Sequence, residues 1–288
     1  MPRHTPARAR RGRAVLWLVL LLALAGVAVA IVLARRWNRE YAAAGGAVAR
    51  SAPPAKSARP AGASAPAGQR PRGGLFDMAV KPAPVTTTFE GCPPEGDSQR
   101  MAEINRLKNR VDTSAAYRLV PLDSLLTLSW PPATPERTPR QWSRADRAAI
   151  ERRQGIPVAV EGYVAGARLS GTESTNCHGA DARYRDWRLW IVARAGESRA
   201  RSVVTEPTPR VRASHPGWSL DALRDAQRAR ERVRVSGWLF FDPEHPDQIG
   251  KTRGTLWEIH PVTRIEVQRG GRWVSLDRLT TPAATAGR

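Results

Sequence analysis

Residues 15–34 form the longest apolar stretch of the chain. They contain no charged side chain and are mainly Leu, Val and Ala. Because an α-helix rises about 1.5 Å per residue, a helix of this length spans roughly 30 Å, the thickness of the hydrocarbon core of a bilayer. The segment predicts one N-terminal transmembrane helix, and the lipid bilayer is its expected partner.

The charges on either side of this segment predict its orientation. Five arginines precede it and three follow it, and the more basic flank of a membrane helix usually stays in the cytoplasm. We therefore expect the N-terminus inside and the C-terminal domain outside the cytoplasm. One alternative is the reverse orientation, and another is a signal peptide with a cleavage site at Ala28-Val29-Ala30. The apolar run is longer than the about 7–15 apolar residues of a secretory signal, which favours an uncleaved anchor.

The composition changes after the apolar run. Residues 35–74 consist largely of Ala, Gly, Pro, Ser and Arg, and such a segment cannot bury enough apolar surface to offset the entropy that ordering costs. We expect a disordered linker. Residues 1–74 carry 13 basic residues and one acidic residue, whereas the whole chain has a net charge of +20, so the remaining chain is only moderately basic.

From Ile156 onward, apolar and polar positions alternate with a period of two, which is typical of half-buried strands. The pattern predicts five strands, which cover residues 156–165, 187–193, 201–205, 233–241 and 255–267. A helix capped by Ser219 is expected between the third and the fourth strand. Gly270 and Gly271 predict a turn into a short hairpin. The order β-β-β-α-β-β is typical of a five-stranded OB-like barrel, with a small open α+β sheet as the alternative.

The region before the strands, residues 75–155, predicts a helical and irregular segment that packs on the barrel. One helix is expected over residues 98–110, with the basic face of INRLKNR exposed to solvent. A second is expected over residues 143–154, with a capping box between Ser143 and Asp146. The predicted fold class is mainly β with some α: a five-stranded OB-like barrel preceded by a helical segment, plus one N-terminal transmembrane helix.

Six regions follow from these boundaries. In chain order they are a basic cytoplasmic tail, the transmembrane helix, the disordered linker, the helical segment, the OB-like barrel domain and a disordered C-terminal tail. Their bounds are residues 1–14, 15–34, 35–74, 75–155, 156–278 and 279–288.

Six strings between Glu161 and Val267, and one upstream, are distinctive: ESTNCH (173–178), RDWRLWIV (185–192), EPTPRVR (206–212), HPGW (215–218), VSGWLFFDPEHPDQIG (235–250) and RGTLWEIHP (253–261), with INRLKNR (104–110) upstream. In these strings the chain resembles a family of uncharacterised bacterial membrane-anchored proteins with an OB-like β-barrel domain. The resemblance covers about half of the chain. It implies an OB-like fold and a location in the bacterial inner membrane, and it implies no activity. Arg188 stands where the resemblance predicts a histidine.

The chain has two cysteines, Cys92 and Cys177. Two are too few for a disulfide-rich scaffold or for a four-thiolate zinc site. In an oxidising compartment they would form a disulfide that joins the segment before the barrel to the barrel, and free thiols are the alternative.

A candidate polar cluster consists of Glu173, His178, Arg210, Glu258 and His260. Glu258 and His260 lie two positions apart and therefore share one face of the last strand. We favour a cross-strand charge pair and a hydrogen-bonded histidine over a polar pocket that would also include Arg210 and Glu206.

Cys177 and His178, with Glu173 upstream, are also considered as a nucleophile with its base or as metal ligands. Adjacent residues of a strand point to opposite faces, so this chemistry would require a loop that reorients them. We therefore assign no catalytic residue, no metal ligand and no cofactor.

Two further motifs have structural interpretations. The string DPEHPDQ (242–248) gathers Asp242, Glu244, His245 and Asp247, but it lacks the spacing of a calcium-binding EF loop, so we interpret it as a rigid turn. Aromatic residues on predicted strands usually fill the core, whereas base stacking beside arginines is the alternative. These aromatic residues are Tyr163, Trp187, Trp190, Trp238 and Trp257.

The sequence predicts a single-pass membrane protein that displays a non-catalytic binding or assembly module outside the cytoplasm. Its expected ligand is a protein, a glycan or another molecule, and nucleic acid is disfavoured. The first alternative is a membrane-tethered, metal-dependent hydrolase or nuclease that uses Glu173, His178 and Glu258. The second alternative is a cytoplasm-facing, nucleic-acid-binding OB protein.

Overall fold

The structure, a computed structural model, describes residues 75–76, 78 and 81–279. All of them belong to the second of two units of the chain, residues 69–288. In this part of the chain, no helix combines the length and the apolar character that a membrane crossing needs. The regions predicted as tail, transmembrane helix and linker, residues 1–14, 15–34 and 35–74, lie outside the described residues, as do residues 280–288.

The described residues form seven strands and six α-helices. The strands are β1 (Arg118–Leu119), β2 (Pro157–Leu169), β3 (Trp187–Val192), β4 (Val203–Thr205), β5 (Arg232–Phe241), β6 (Trp257–Arg269) and β7 (Arg272–Ser275). The helices are α1 (Ala102–Lys108), α2 (Leu122–Leu126), α3 (Arg144–Glu151), α4 (Pro209–Arg212), α5 (Leu220–Arg228) and α6 (Leu276–Leu279).

Five of these strands form a closed β-barrel in the order β2, β3, β4, β6, β5. The pairs β2–β3, β3–β4, β5–β6 and β2–β5 are antiparallel, and the pair β4–β6 is parallel. The pairing of β2 with β5 closes the barrel and gives each of the five strands two neighbours. With α5 between β4 and β5, the mainly β fold and its five-stranded barrel are confirmed, and the arrangement is consistent with an OB-like barrel.

Two short strands extend the sheet beyond the five strands of the barrel. β1 pairs in parallel with the start of β2, and β7 forms the predicted hairpin with β6. β2 also continues to Leu169, because a bulge between Val164 and Gly166 bends the strand without ending it. Near Pro261 the pairing of β6 with β5 is irregular, and the strand runs on to Arg269.

The barrel interior holds the main apolar core. Inward positions of the strands supply residues such as Val160, Ile191, Val235 and Ile259, and helices α2, α3 and α5 pack against them. The predicted cap of α5 is present, since the Ser219 hydroxyl accepts from two backbone amides of its first turn. α3 likewise begins with Ser143 accepting from the backbone of Asp146.

A second layer lies on the outside of the barrel and consists of residues 85–112, which we call the cover segment. It packs Met101 and Ile104 on Phe240 of β5 and contacts β6. Its disulfide, Cys92–Cys177, joins it to the loop between β2 and β3. α1 is shorter than predicted, because the carbonyl of Ser98 closes a turn before it.

Two glycines allow the strands of the barrel to approach closely. A Cβ at Gly162 would lie 2.4 Å from the carbonyl oxygen of Val192, and a Cβ at Gly237 would lie 2.2 Å from that of Pro261. Both distances are far shorter than a van der Waals contact, so no larger residue fits without moving backbone.

Replacing Gly237 with alanine should lower the free energy of unfolding by about 1–3 kcal/mol, because β5 and β6 have to separate to admit the methyl group. The matched control is Gly171→Ala, since a Cβ at Gly171 meets nothing within 4 Å. Urea denaturation followed by tryptophan fluorescence measures both variants. Equal midpoints for G237A and the wild type would contradict this close approach.

Candidate functional site

Charged side chains concentrate between the barrel wall and the cover segment. Alternation along β6 places Trp257 and Ile259 in the core, and therefore Glu258 and His260 on the outer face. Neighbouring strands and loops bring further charges to the same place. We call this set the charge cluster, and its members are Lys108, Glu173, Asp186, Arg188, Glu206, Asp242, Arg253, Glu258 and His260.

Arg253 is fully buried between two carboxylates of the charge cluster. Its Nη1 donates to Asp242 Oδ2 at 2.6 Å, and its Nη2 donates to Glu258 Oε1. His245 Nδ1 lies 2.7 Å from the same Asp242 oxygen. Burial raises the pKa of Asp242, but the His245 hydrogen bond and the Arg253 charge outweigh it and hold this pKa well below its usual range.

Arg188 and Lys108 supply the other two cations of the cluster. Arg188 Nε donates to Glu206 Oε1, and its Nη2 lies 3.7 Å from Glu173 Oε1. Lys108 Nζ lies 3.7 Å from Glu173 Oε2 and 3.8 Å from Glu244 Oε2. Lys108 belongs to α1, so the cover segment delivers a positive charge to a barrel wall that is rich in carboxylates.

His260 is completely buried and contacts three carboxylates. Its Nδ1 lies 3.3 Å from Glu206 Oε2 and 3.4 Å from Glu258 Oε2. Its Nε2 lies 3.5 Å from Asp186 Oδ2. The other Asp186 oxygen accepts a hydrogen bond of 2.9 Å from the Asn176 amide, which fixes the orientation of that carboxylate.

The carboxylates of the cluster differ in their affinity for protons. Burial raises the pKa of Glu173 to about 7, although Lys108 opposes this shift. Burial also raises the pKa of Asp186. For Glu206, burial acts in the same direction, but the charge of Arg188 outweighs it and the pKa falls to about 2. At neutral pH, Glu206 is therefore charged, whereas Glu173 is partly protonated.

Arg210 binds the cover segment. Its Nη2 donates to the carbonyl oxygen of Cys92 at 2.9 Å, and its Nη1 donates to the side-chain oxygens of Asn109 at 2.7 Å and Asn176 at 3.1 Å. Burial lowers the pKa of Arg210 to about 10, so the side chain stays charged at neutral pH. Arg210 therefore links α4 to the backbone at Cys92 and to the end of α1.

The structure brings together only some of the five predicted residues. Glu173, Glu258 and His260 are members of the charge cluster, and Arg210 borders it through Asn176. His178 lies apart, because the backbone is left-handed at this residue and its side chain is 59% exposed, with Nδ1 2.8 Å from Asp97 Oδ2.

Sequence patterns missed several members of the cluster. The basic face of INRLKNR was expected in solvent, and this is wrong for Lys108 and Arg110, which are both buried. Arg110 stacks on Trp238 with its guanidinium carbon 3.4 Å from the ring centroid. Asp186 and Arg253 lie in loops without periodicity, so no signal along the chain could have marked them as buried.

The remaining motifs have the structures that were expected of them only in part. Trp190, Trp238 and Trp257 are buried in the fold, whereas Tyr163 and Trp187 are partly exposed. The string DPEHPDQ (242–248) forms a tight turn, in which the Glu244 amide donates to Asp242 Oδ1 at 2.9 Å.

Replacing Arg253 with methionine should lower the free energy of unfolding by about 3–5 kcal/mol, because Asp242 and Glu258 would be buried without their counter-charge. The matched control is Arg228→Met, which removes an arginine from a pair with Asp225 whose side chains are 70% and 56% exposed. For this control we expect a loss below about 1 kcal/mol. Chemical denaturation measures both losses, and similar values would argue against a paired, buried guanidinium.

The contribution of His245 to the stability of the fold should decrease as the pH rises. The hydrogen bond to Asp242 raises the pKa of His245, although burial opposes it. A raised pKa in the folded state stabilises the fold fully below the unfolded pKa of about 6.5, and this stabilisation is lost as the pH rises through the folded pKa. His245→Gln should therefore cost more stability at about pH 5.5 than at about pH 9. Thermal unfolding of both proteins tests this, and a loss that does not vary with pH would refute it.

Comparisons with known proteins do not identify a family. No protein-family model matches the chain. No curated protein and no solved structure matches it either. The bacterial membrane-anchored family that the sequence resembles stays a prediction, and the function is inferred from the geometry described above.

Proposed function

We propose that the chain is a single-pass membrane protein that displays an OB-like barrel outside the cytoplasm as a non-catalytic binding or assembly module. The observation that carries this proposal is the disulfide Cys92–Cys177, which is typical of proteins in oxidising compartments. Together with the apolar residues 15–34 and the linker 35–74, it favours a bacterial inner membrane protein whose C-terminal domain faces the periplasm.

The disulfide is part of the architecture that buries the charge cluster. It connects positions 85 residues apart and ties the cover segment to the loop between β2 and β3. Closing a loop of that length stabilises a fold by about 4 kcal/mol if the constraint acts on the unfolded chain. Since reductants in the cytosol keep thiols reduced, this stabilisation is gained outside the cytoplasm.

A non-catalytic role is supported by the way the carboxylates are engaged. Glu206 is bound to Arg188 and Glu258 to Arg253, and both carboxylates are buried. The hydrolase alternative needs His178 beside Glu173 and Glu258, but His178 pairs with Asp97 at the surface. These contacts favour a structural role for the cluster and a binding role for the surface of the barrel.

The OB-like assignment is supported by the strand order, the closure of the barrel and the helix between β4 and β5. Barrels of this class bind oligonucleotides and oligosaccharides, among other ligands. An extracytoplasmic location favours a protein or a glycan as the ligand over nucleic acid.

The oxidation state of the cysteines in living bacteria tests the proposal. The full chain is quenched with acid in intact cells, unfolded and alkylated without reductant, and we expect neither Cys92 nor Cys177 to react. The matched control lacks residues 15–34, should remain in the cytosol and should be alkylated at both cysteines. Free thiols in the full chain would refute an extracytoplasmic domain.

Two further measurements separate the alternatives. A reporter that is active only in the periplasm should be active when it is fused to the C-terminus, and inactivity would favour the cytoplasm-facing, nucleic-acid-binding protein. Alkaline extraction should leave the full chain in the membrane fraction, whereas a chain with a cleaved signal peptide would be released.

A further inference from the structure

Three buried side chains of the charge cluster converge on one point. Asp186, Glu206 and His260 each offer one ligand atom, and these atoms lie within 4.8 Å of one another. They come from three separate places in the chain: the residue before β3, the residue after β4 and the fourth residue of β6. All three are at most 1% exposed.

Two atoms at this point are buried without a hydrogen bond. Among the described residues, Asp186 Oδ2 and His260 Nε2 have no hydrogen-bond partner, although they face each other at 3.5 Å. A charge-assisted hydrogen bond would bring them to about 2.7–2.9 Å. Ligands of one tetrahedral zinc ion, each bound at about 2.0–2.2 Å, lie roughly 3.4 Å apart. The observed separation is too long for the hydrogen bond and is close to that of two ligands on one metal ion.

The opposite atoms of these side chains are already held by neighbours. Asp186 Oδ1 accepts from Asn176, and Glu206 Oε1 accepts from Arg188. His260 Nδ1 lies between two carboxylates, 3.3 Å from Glu206 Oε2 and 3.4 Å from Glu258 Oε2. Metal-binding histidines typically donate their second ring nitrogen to a carboxylate in this way, which orients the ring and sets its tautomer.

The charge balance of the cluster points in the same direction. Its five carboxylates outnumber its three Lys and Arg side chains, so a divalent cation would add positive charge where carboxylates are in the majority. One imidazole and two carboxylates form a ligand set that suits zinc.

We propose that Asp186, Glu206 and His260 form a closed structural site for one zinc ion between the barrel wall and the cover segment. This goes beyond the proposed binding function, since the ion would tie the start of β3 and the end of β4 to β6 beneath the cover segment. Structural zinc sites are closed to solvent, as these residues are, whereas catalytic sites keep a position open to substrate.

The test uses the full chain in detergent, without a metal-binding tag, first stripped with a chelator and then equilibrated with zinc. Elemental analysis should give one zinc per chain, and zinc should raise the temperature of unfolding. Asp186→Asn should lose the bound zinc. Glu258→Gln, which removes a carboxylate beside His260 Nδ1 and a counter-charge of Arg253, should weaken binding by about 10–100-fold. His178→Gln is the matched control, since it removes an exposed histidine and should keep one zinc.

Several outcomes would overturn the proposal. One is a natively folded wild type that retains no zinc, and another is a folded D186N that retains as much zinc as the wild type. If D186N does not fold, zinc X-ray absorption of the wild type decides, because a single imidazole with oxygen ligands supports the site. Two imidazoles or a sulfur ligand would refute it.

Discussion

The structure depends on one electrostatic constraint: carboxylates on the outer wall of the barrel have to be compensated before they can be buried. An ion moved from water into a protein interior costs several kcal/mol unless counter-charges and hydrogen bonds offset it. Arg188 and Arg253 compensate Glu206 and Glu258 from within the barrel domain. Lys108 comes from α1, so the wall is complete only when the cover segment is in place.

The cover segment is positioned by directional polar bonds more than by apolar area. Its own apolar contact is a small group around Phe240, separate from the main core. By contrast, Asn105 accepts from Thr175 at 2.9 Å, Asn109 donates to the carbonyl of the same residue at 2.8 Å, and Arg210 adds its bonds to the disulfide loop. A buried polar group without a partner costs about 1–3 kcal/mol. Any other position of the cover segment would break these hydrogen bonds, so the observed position is strongly preferred.

The barrel could be predicted from the sequence and the charge cluster largely could not. In strands such as β5, apolar and polar positions alternate regularly along the sequence, and this period of two is enough to identify the residues that point inward. Glu258 and His260 were placed on one face by the same rule. The positions of Lys108 and Arg253 depend on which distant carboxylates they meet, and that is decided by tertiary packing. The turn before α1 likewise shifts the start of the helix from the predicted residue 98 to Ala102.

The location of Lys108 at the beginning of the domain and of Glu258 near its end has a consequence for synthesis. The cover segment leaves the ribosome before any barrel strand, whereas β6 is the last strand of the barrel to emerge. Throughout almost all of translation, α1 therefore has no finished surface to bind, and its lysine stays hydrated. The contacts that the cover segment makes with β6 can form only after this C-terminal strand has been synthesised, and they join residues that are distant in the chain.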